Sequence, residues 1–207
     1  MFDTIAKIGI VPVIKIDEAG KAAPLARALR NGGVSVIEIT FRTAAAPDAI
    51  TAIAREVPDM LIGAGTVLTL GQLRAARDAG ARFIVTPGLD SEIVAAAQNY
   101  ALPIIPGVVT PTEVTAALKL NLSVLKFFPA SNFGGAATVK ALSAPFQGVR
   151  FVPTGGIDAR NAGEYWALPQ VLAVGGSWMA PETLIRAGDF DAIERLTREA
   201  AELRKQV

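Results

Sequence analysis

The chain has 207 residues, 51% of them apolar, with 20 Lys and Arg against 19 Asp and Glu for a formal net charge of +1. That length suits one domain with a sizeable core, and the even charge leaves no electrostatic footprint for nucleic acid or a membrane surface. Cys and His are both absent, which excludes disulfides, thiolate nucleophiles, Ser-His and Cys-His pairs and the commonest zinc ligands, and leaves proton transfer to Glu, Asp, Lys or Tyr.

In chain order, short β-rich runs alternate with Ala- and Leu-rich stretches. The first eight residues read as a short closing helix. The β-rich runs are Ile10–Ile14, Val34–Phe41, Met60–Thr66, Phe83–Thr86, Pro103–Val108, Val124–Phe128, Arg150–Thr154 and Val171–Val174. The helix-like stretches between and after them are Glu18–Arg30, Ala46–Glu56, Gly71–Ala79, Ser91–Asn99, Pro111–Leu120, Gly135–Ala144, Ala159–Ala167 and Asp189–Lys205. Thr110-Pro111 places a hydroxyl at an N-cap and proline at N1, with Glu113 in the first turn. Asn31-Gly32-Gly33 and Ala79-Gly80 are helix stops. Eight evenly spaced strand–helix units predict a compact α/β (β/α)8 TIM barrel, one domain over 1–207 with a short N-terminal helix. An open doubly wound sheet is the runner-up. No apolar run approaches the ~18 residues of a membrane span, and Met1-Phe2-Asp3-Thr4 lacks a signal-peptide layout. The expectation is a cytoplasmic protein without membrane or nucleic-acid partners.

Lys126 stands out. It sits among Val124, Leu125, Phe127 and Phe128, with no acid within five positions on either side. Burying an unpaired ammonium is costly. One way out is to release the proton, and a neutral amine is the nucleophile of Schiff-base chemistry; snorkelling to solvent is another. Strand alternation puts Leu125 and Phe127 on the helix-facing side and turns Lys126 into the barrel. In the second run, Ile37, Ile39 and Phe41 form one face, while Glu38, Thr40 and Arg42 form the other. An acid, a hydroxyl and a guanidinium would then line a space usually filled by branched apolar residues; a buried ion pair that serves packing is the competing reading. Glycine pairs close the last two strands, in Pro153-Thr154-Gly155-Gly156-Ile157 and Val174-Gly175-Gly176-Ser177-Trp178. Such turns let backbone N–H groups approach an anion, and many barrels bind phosphate at this place. Gly63-Ala64-Gly65-Thr66 adds another close-approach turn.

With these residues placed, the chain resembles the 2-keto-3-deoxy-6-phosphogluconate (KDPG) aldolase and 4-hydroxy-2-oxoglutarate aldolase family, which are class I Schiff-base pyruvate aldolases. The resemblance runs nearly end to end through Val11-Pro12-Val13, Glu38-Ile39-Thr40-Phe41-Arg42-Thr43, Gly63-Ala64-Gly65-Thr66-Val67-Leu68, Thr86-Pro87-Gly88, Lys126-Phe127-Phe128-Pro129-Ala130, Pro153-Thr154-Gly155-Gly156-Ile157 and Gly175-Gly176-Ser177-Trp178. It implies that Lys126 forms the imine and Glu38 moves protons. It implies carboxylate binding by Arg42 and Thr66 with Thr154 close by, a substrate pocket packed by Pro87 and Phe128, and phosphate-binding turns at Gly155, Gly156, Gly176 and Ser177. It also implies a homotrimer of the Entner–Doudoroff pathway, acting on a 2-keto acid phosphosugar with no metal and no cofactor beyond the covalent imine. Members commonly carry a cysteine where this chain has Val152, a departure expected to have no catalytic consequence. Three rivals remain at this point: a 2-dehydro-3-deoxy-6-phosphogalactonate aldolase, a phosphosugar epimerase, which would ordinarily need His and a metal, and a non-catalytic trimeric scaffold.

Overall fold

The computed structural model describes residues 1–206. Helix α1 (Phe2–Ile8) is followed by β1 (Ile10–Ile14), α2 (Ala22–Asn31), β2 (Val36–Thr40), α3 (Ala46–Glu56), β3 (Leu61–Gly65), α4 (Leu70–Asp78), β4 (Phe83–Val85) and α5 (Ser91–Asn99). Then come β5 (Ile104–Ile105), β6 (Gly107–Val108), α6 (Pro111–Lys119), β7 (Val124–Phe127), α7 (Gly135–Ser143), β8 (Arg150–Pro153), α8 (Ala162–Trp166), β9 (Val174–Gly176), α9 (Glu182–Ala187) and α10 (Phe190–Lys205). The fold is mixed α/β with parallel strand pairs throughout. The ladders form a six-stranded sheet in the order β5-β4-β3-β2-β1-β9 and a three-stranded sheet β6-β7-β8.

Both breaks between these sheets have local causes. The fifth predicted run divides at Pro106, which has no N–H to continue a ladder, although its carbonyl still accepts from Lys126 N at 2.9 Å. The eighth run differs from its predicted bounds. Val171 forms only an isolated bridge to Phe151, and the regular strand lies later, where Val174, Gly175 and Gly176 pair with Ile10, Val11 and Pro12. Thr154 bridges Gly175 on the side of β8. Helix α9, absent from the predicted elements, fills the stretch before α10.

Alternation sorts the strand residues into two apolar clusters. Ile37, Ile39, Ile62, Ala64, Leu125 and Phe127 belong to the cluster that the helices cover. Val11, Val36, Phe83, Val85, Val124 and Val152 belong to an inner cluster, joined by Ile5 of α1. Because side chains repeat every two residues, Glu38 shares the inner face of Val36 and Lys126 shares that of Val124. Helix α1 ends at Gly9, whose φ of 73° is the left-handed conformation glycine adopts without penalty. Its carbonyl accepts from Trp166 Nε1 at 2.9 Å, tying α8 to the start of β1.

Candidate active site

Lys126 and Glu38 meet inside the sheet. Nζ lies 3.5 Å from Glu38 Oε1, and the two side chains are 7% and 3% exposed. The lysine therefore has a partner after all, one that the residues around it in the sequence could not reveal. In the ladders Lys126 lies opposite Gly107 on one side and Val152 on the other, so both strand neighbours are apolar. Val152 thus faces inward directly beside the lysine. The Phe128 ring, two residues on and on the same face, has its centroid 5.1 Å from Nζ.

Above the pair the face turns polar. Thr40 is buried and donates its hydroxyl to Ile14 O at 2.9 Å, while its oxygen accepts from Arg42 Nε at 3.0 Å. Thr40 thereby orients the guanidinium through its Nε. Arg42 is exposed and makes no ion pair with an acid among the described residues, so its remaining N–H groups are free for an anion.

A cavity of about 180 Å³ gathers most of the predicted site: Arg42, Phe128, Thr154, Gly155, Gly156, Gly176 and Ser177 line it, with Val13, Ile157 and Gly175. Gly155 and Gly156 have φ of 102° and 71°, conformations that side chains resist. The Gly156 carbonyl accepts from Ser131 Oγ at 2.8 Å and Asn161 Nδ2 at 2.9 Å. These bonds fix the peptide turn. Ser131 carries no sequence signal for this, because it lies 25 positions from the carbonyl it bonds, whereas Asn161 acts locally, five positions on, at the start of α8. Gly175 makes room for Thr154, whose Oγ1 a Cβ at 175 would meet.

Thr66 and Pro87 do not line this cavity. Pro87 lines a second cavity of about 180 Å³ with Val67, Leu68, Thr86, Gly88 and Leu89. Thr66 follows β3 with φ 56°, a left-handed conformation unusual for a β-branched residue and of the kind that clusters at functional sites. Gly107 links this side to the lysine. It pairs with Lys126, and a Cβ on it would meet the Pro87 carbonyl. The Phe128–Pro129 peptide is cis. Among the described residues no group of three or more His, Cys, Asp or Glu could hold a metal ion, and no helix is long and apolar enough to cross a membrane.

A buried lysine beside one carboxylate, on inner strand faces that continue to Arg42 and Phe128 at a cavity of glycine turns, has the groups that a lysine-dependent carbon–carbon lyase on a parallel α/β scaffold needs. Residues 2–196 match the family described as KDPG and KHG aldolase. The 2-dehydro-3-deoxy-phosphogluconate aldolase of Treponema pallidum is 46% identical over 203 residues, 98% of this chain and 97% of its own. The KHG/KDPG aldolase of Escherichia coli is 47% identical over 93% of this chain and 91% of its own. A crystal structure of KDPG aldolase from Legionella pneumophila, with pyruvate captured as a covalent carbinolamine, superposes with a TM-score of 0.92 at 42% identity, covering 96% and 97% of the two chains. The chain belongs to the KDPG/KHG aldolase family.

Proposed function

We propose that the protein is a class I aldolase that cleaves 2-dehydro-3-deoxy-6-phosphogluconate to pyruvate and glyceraldehyde 3-phosphate, and that it also cleaves 4-hydroxy-2-oxoglutarate. The observation that carries this reading is the Lys126–Glu38 pair, 3.5 Å apart on the inner face. Lys126 passes a proton to Glu38 and its neutral amine adds to C2 of the keto acid; the carbinolamine hydroxyl takes that proton back from Glu38 and leaves as water, giving a protonated imine and the Glu38 carboxylate. Glu38 takes the C4 hydroxyl proton, directly or through one water. The C3–C4 bond then breaks, its electron pair moves into the imine as an enamine, and the aldehyde leaves. Protonation of the enamine carbon and hydrolysis of the imine release pyruvate and restore the amine. Arg42, with Thr66 and Thr154, holds the carboxylate, Pro87 and Phe128 pack around the substrate, and Gly155, Gly156, Gly176 and Ser177 take the phosphate. The shared cavity supports the grouping of Arg42 and Thr154 with the glycine turns. The clamp fixes the reacting carbon beside the amine.

The test combines trapping with kinetics. Borohydride added with pyruvate should leave one reduced adduct on Lys126, read by peptide mass, and an unmodified Lys126 overturns the scheme. Pyruvate release should be faster from the gluconate-derived sugar than from its galactonate diastereomer, and unaffected by EDTA. The opposite preference would reassign the substrate, and loss with EDTA would reinstate a metal.

For the whole molecule we propose a single domain whose two sheets are parts of one closed eight-stranded (β/α)8 barrel. The Pro106 break and the bridges from Phe151 and Thr154 to the last run support that closure. We further propose a cytoplasmic homotrimer, an assignment supported by the family resemblance and checked by light scattering on the purified protein.

A further inference from the structure

The Glu38 carboxylate makes one hydrogen bond among the described residues, to Lys126 Nζ at 3.5 Å. For a buried acid that is little restraint, since carboxylates are usually fixed by several donors. Its position is set by shape instead. In the ladder between β2 and β3, Glu38 lies opposite Gly63 and Thr40 opposite Gly65. A Cβ built on Gly65 would collide with Glu38 Oε1 and come within 2.6 Å of both Cδ and Cγ. The oxygen that would be struck is the one facing the lysine. Gly65 does not have positive φ, so its backbone accepts alanine, and an added methyl acts on Glu38 rather than through strain. Gly63, two residues earlier, does a different job: a Cβ there would meet the Phe83 ring of the inner apolar cluster.

We propose that Gly65 is a positioning residue for the reaction: its missing side chain is the space that seats the Glu38 carboxylate under Lys126, and proton transfer depends on it more than imine formation does. The inference rests on Glu38 being the proton carrier. In the pyruvate imine that carrier removes a proton from the methyl carbon to give the enamine, and return of a deuteron from D2O labels the methyl group. Proton exchange and imine trapping therefore read two different events at one lysine.

The experiment measures both in Gly65→Ala. Borohydride trapping of pyruvate on Lys126 is expected to stay within about threefold of wild type, while methyl exchange, followed by NMR, falls on the order of 100-fold, the usual size of a misplaced acid–base group. Equal losses of the two, or unchanged exchange, overturn the proposal. Gly63→Ala serves as the contrast and is expected to lower the melting temperature while leaving the ratio of exchange to trapping unchanged; a shifted ratio would show that the effect is not specific to position 65. Should Gly65→Ala fold poorly, the double variant Gly65→Ala/Glu38→Ala decides by melting temperature. Truncation at Cβ removes the Cγ, Cδ and Oε1 atoms that the added methyl would strike, so Gly65→Ala should cost much less stability in the Glu38→Ala background, whereas simple additivity overturns the steric link. Glu38→Gln separates the two readings. If it keeps exchange, the assignment of Glu38 is wrong; if it loses exchange while Gly65→Ala does not, only the role of Gly65 falls.

Discussion

At the scale of residues, the Lys126–Glu38 contact is a poor stability device. Taking each ion out of water costs several kcal/mol, and a single contact at 3.5 Å repays that only in part. Removing one partner is worse, because the other is left buried alone. Lys126→Met is expected to abolish the borohydride adduct and to lower unfolding free energy by about 3 kcal/mol, while Lys126→Met/Glu38→Leu recovers wild-type stability or exceeds it. Denaturant midpoints of the three proteins check this, and a single variant as stable as wild type would contradict the buried coupling. The sequence shows an amine without a local acid because the acid is 88 positions away. Alternation places both groups on inner faces, but only the arrangement of strands brings them together. The room that Gly65 leaves for Glu38 is invisible in sequence for the same reason.

Among the elements, α6 is the best-defined start of a helix. Thr110 Oγ1 accepts from Glu113 N at 3.3 Å, and Glu113 Oε2 accepts from Val109 N, Thr110 N and Thr110 Oγ1, each at 2.8 Å. This capping box closes the segment after β6, where Val108 O accepts from Phe128 N at 3.3 Å beside the lysine strand. Partial burial pushes the Glu113 carboxyl up, but the three donors together hold it below its ordinary value of 4.5. A carboxyl lowered on folding stabilises the native state above its unfolded value and loses that contribution as pH falls through the folded one. Glu113→Gln is therefore expected to cost about 1 kcal/mol at pH 7, with the gap to wild type closing as the pH drops below about 4.5. Urea midpoints at pH 7 and at acid pH measure it. Such caps are legible because they lie within four residues of sequence. Helix α9 was not legible, since its six residues offer one buried side chain, Ile185. The last strand lies later than the run Val171–Val174, because Gly175-Gly176 reads as a turn in sequence and becomes strand only through its pairing with Val11 and Pro12.

For the molecule as a whole, α1 matters beyond its seven residues. Ile5 is fully buried and joins the inner cluster with Val11, Val36, Phe83, Val85 and Val124. This helix is packed against the inner face that also carries the reacting pair. Ile5→Ala is expected to cost about 2–5 kcal/mol by leaving a cavity there. The loss should appear in thermal melts while borohydride trapping at Lys126 stays near wild type at 25 °C; a lost adduct in a folded variant would show instead that α1 positions the pair. The sequence by itself determined the alternation of strands and helices, the inward faces of Glu38 and Lys126 and the glycine turns, because periodicity, caps and turns are local properties of the chain. The tertiary structure alone decided which strands stand side by side, where ladders break, and how Arg42 and Thr154 come to share one cavity. Those outcomes depend on backbone hydrogen bonds and steric fits between residues far apart in the chain, which no local pattern encodes.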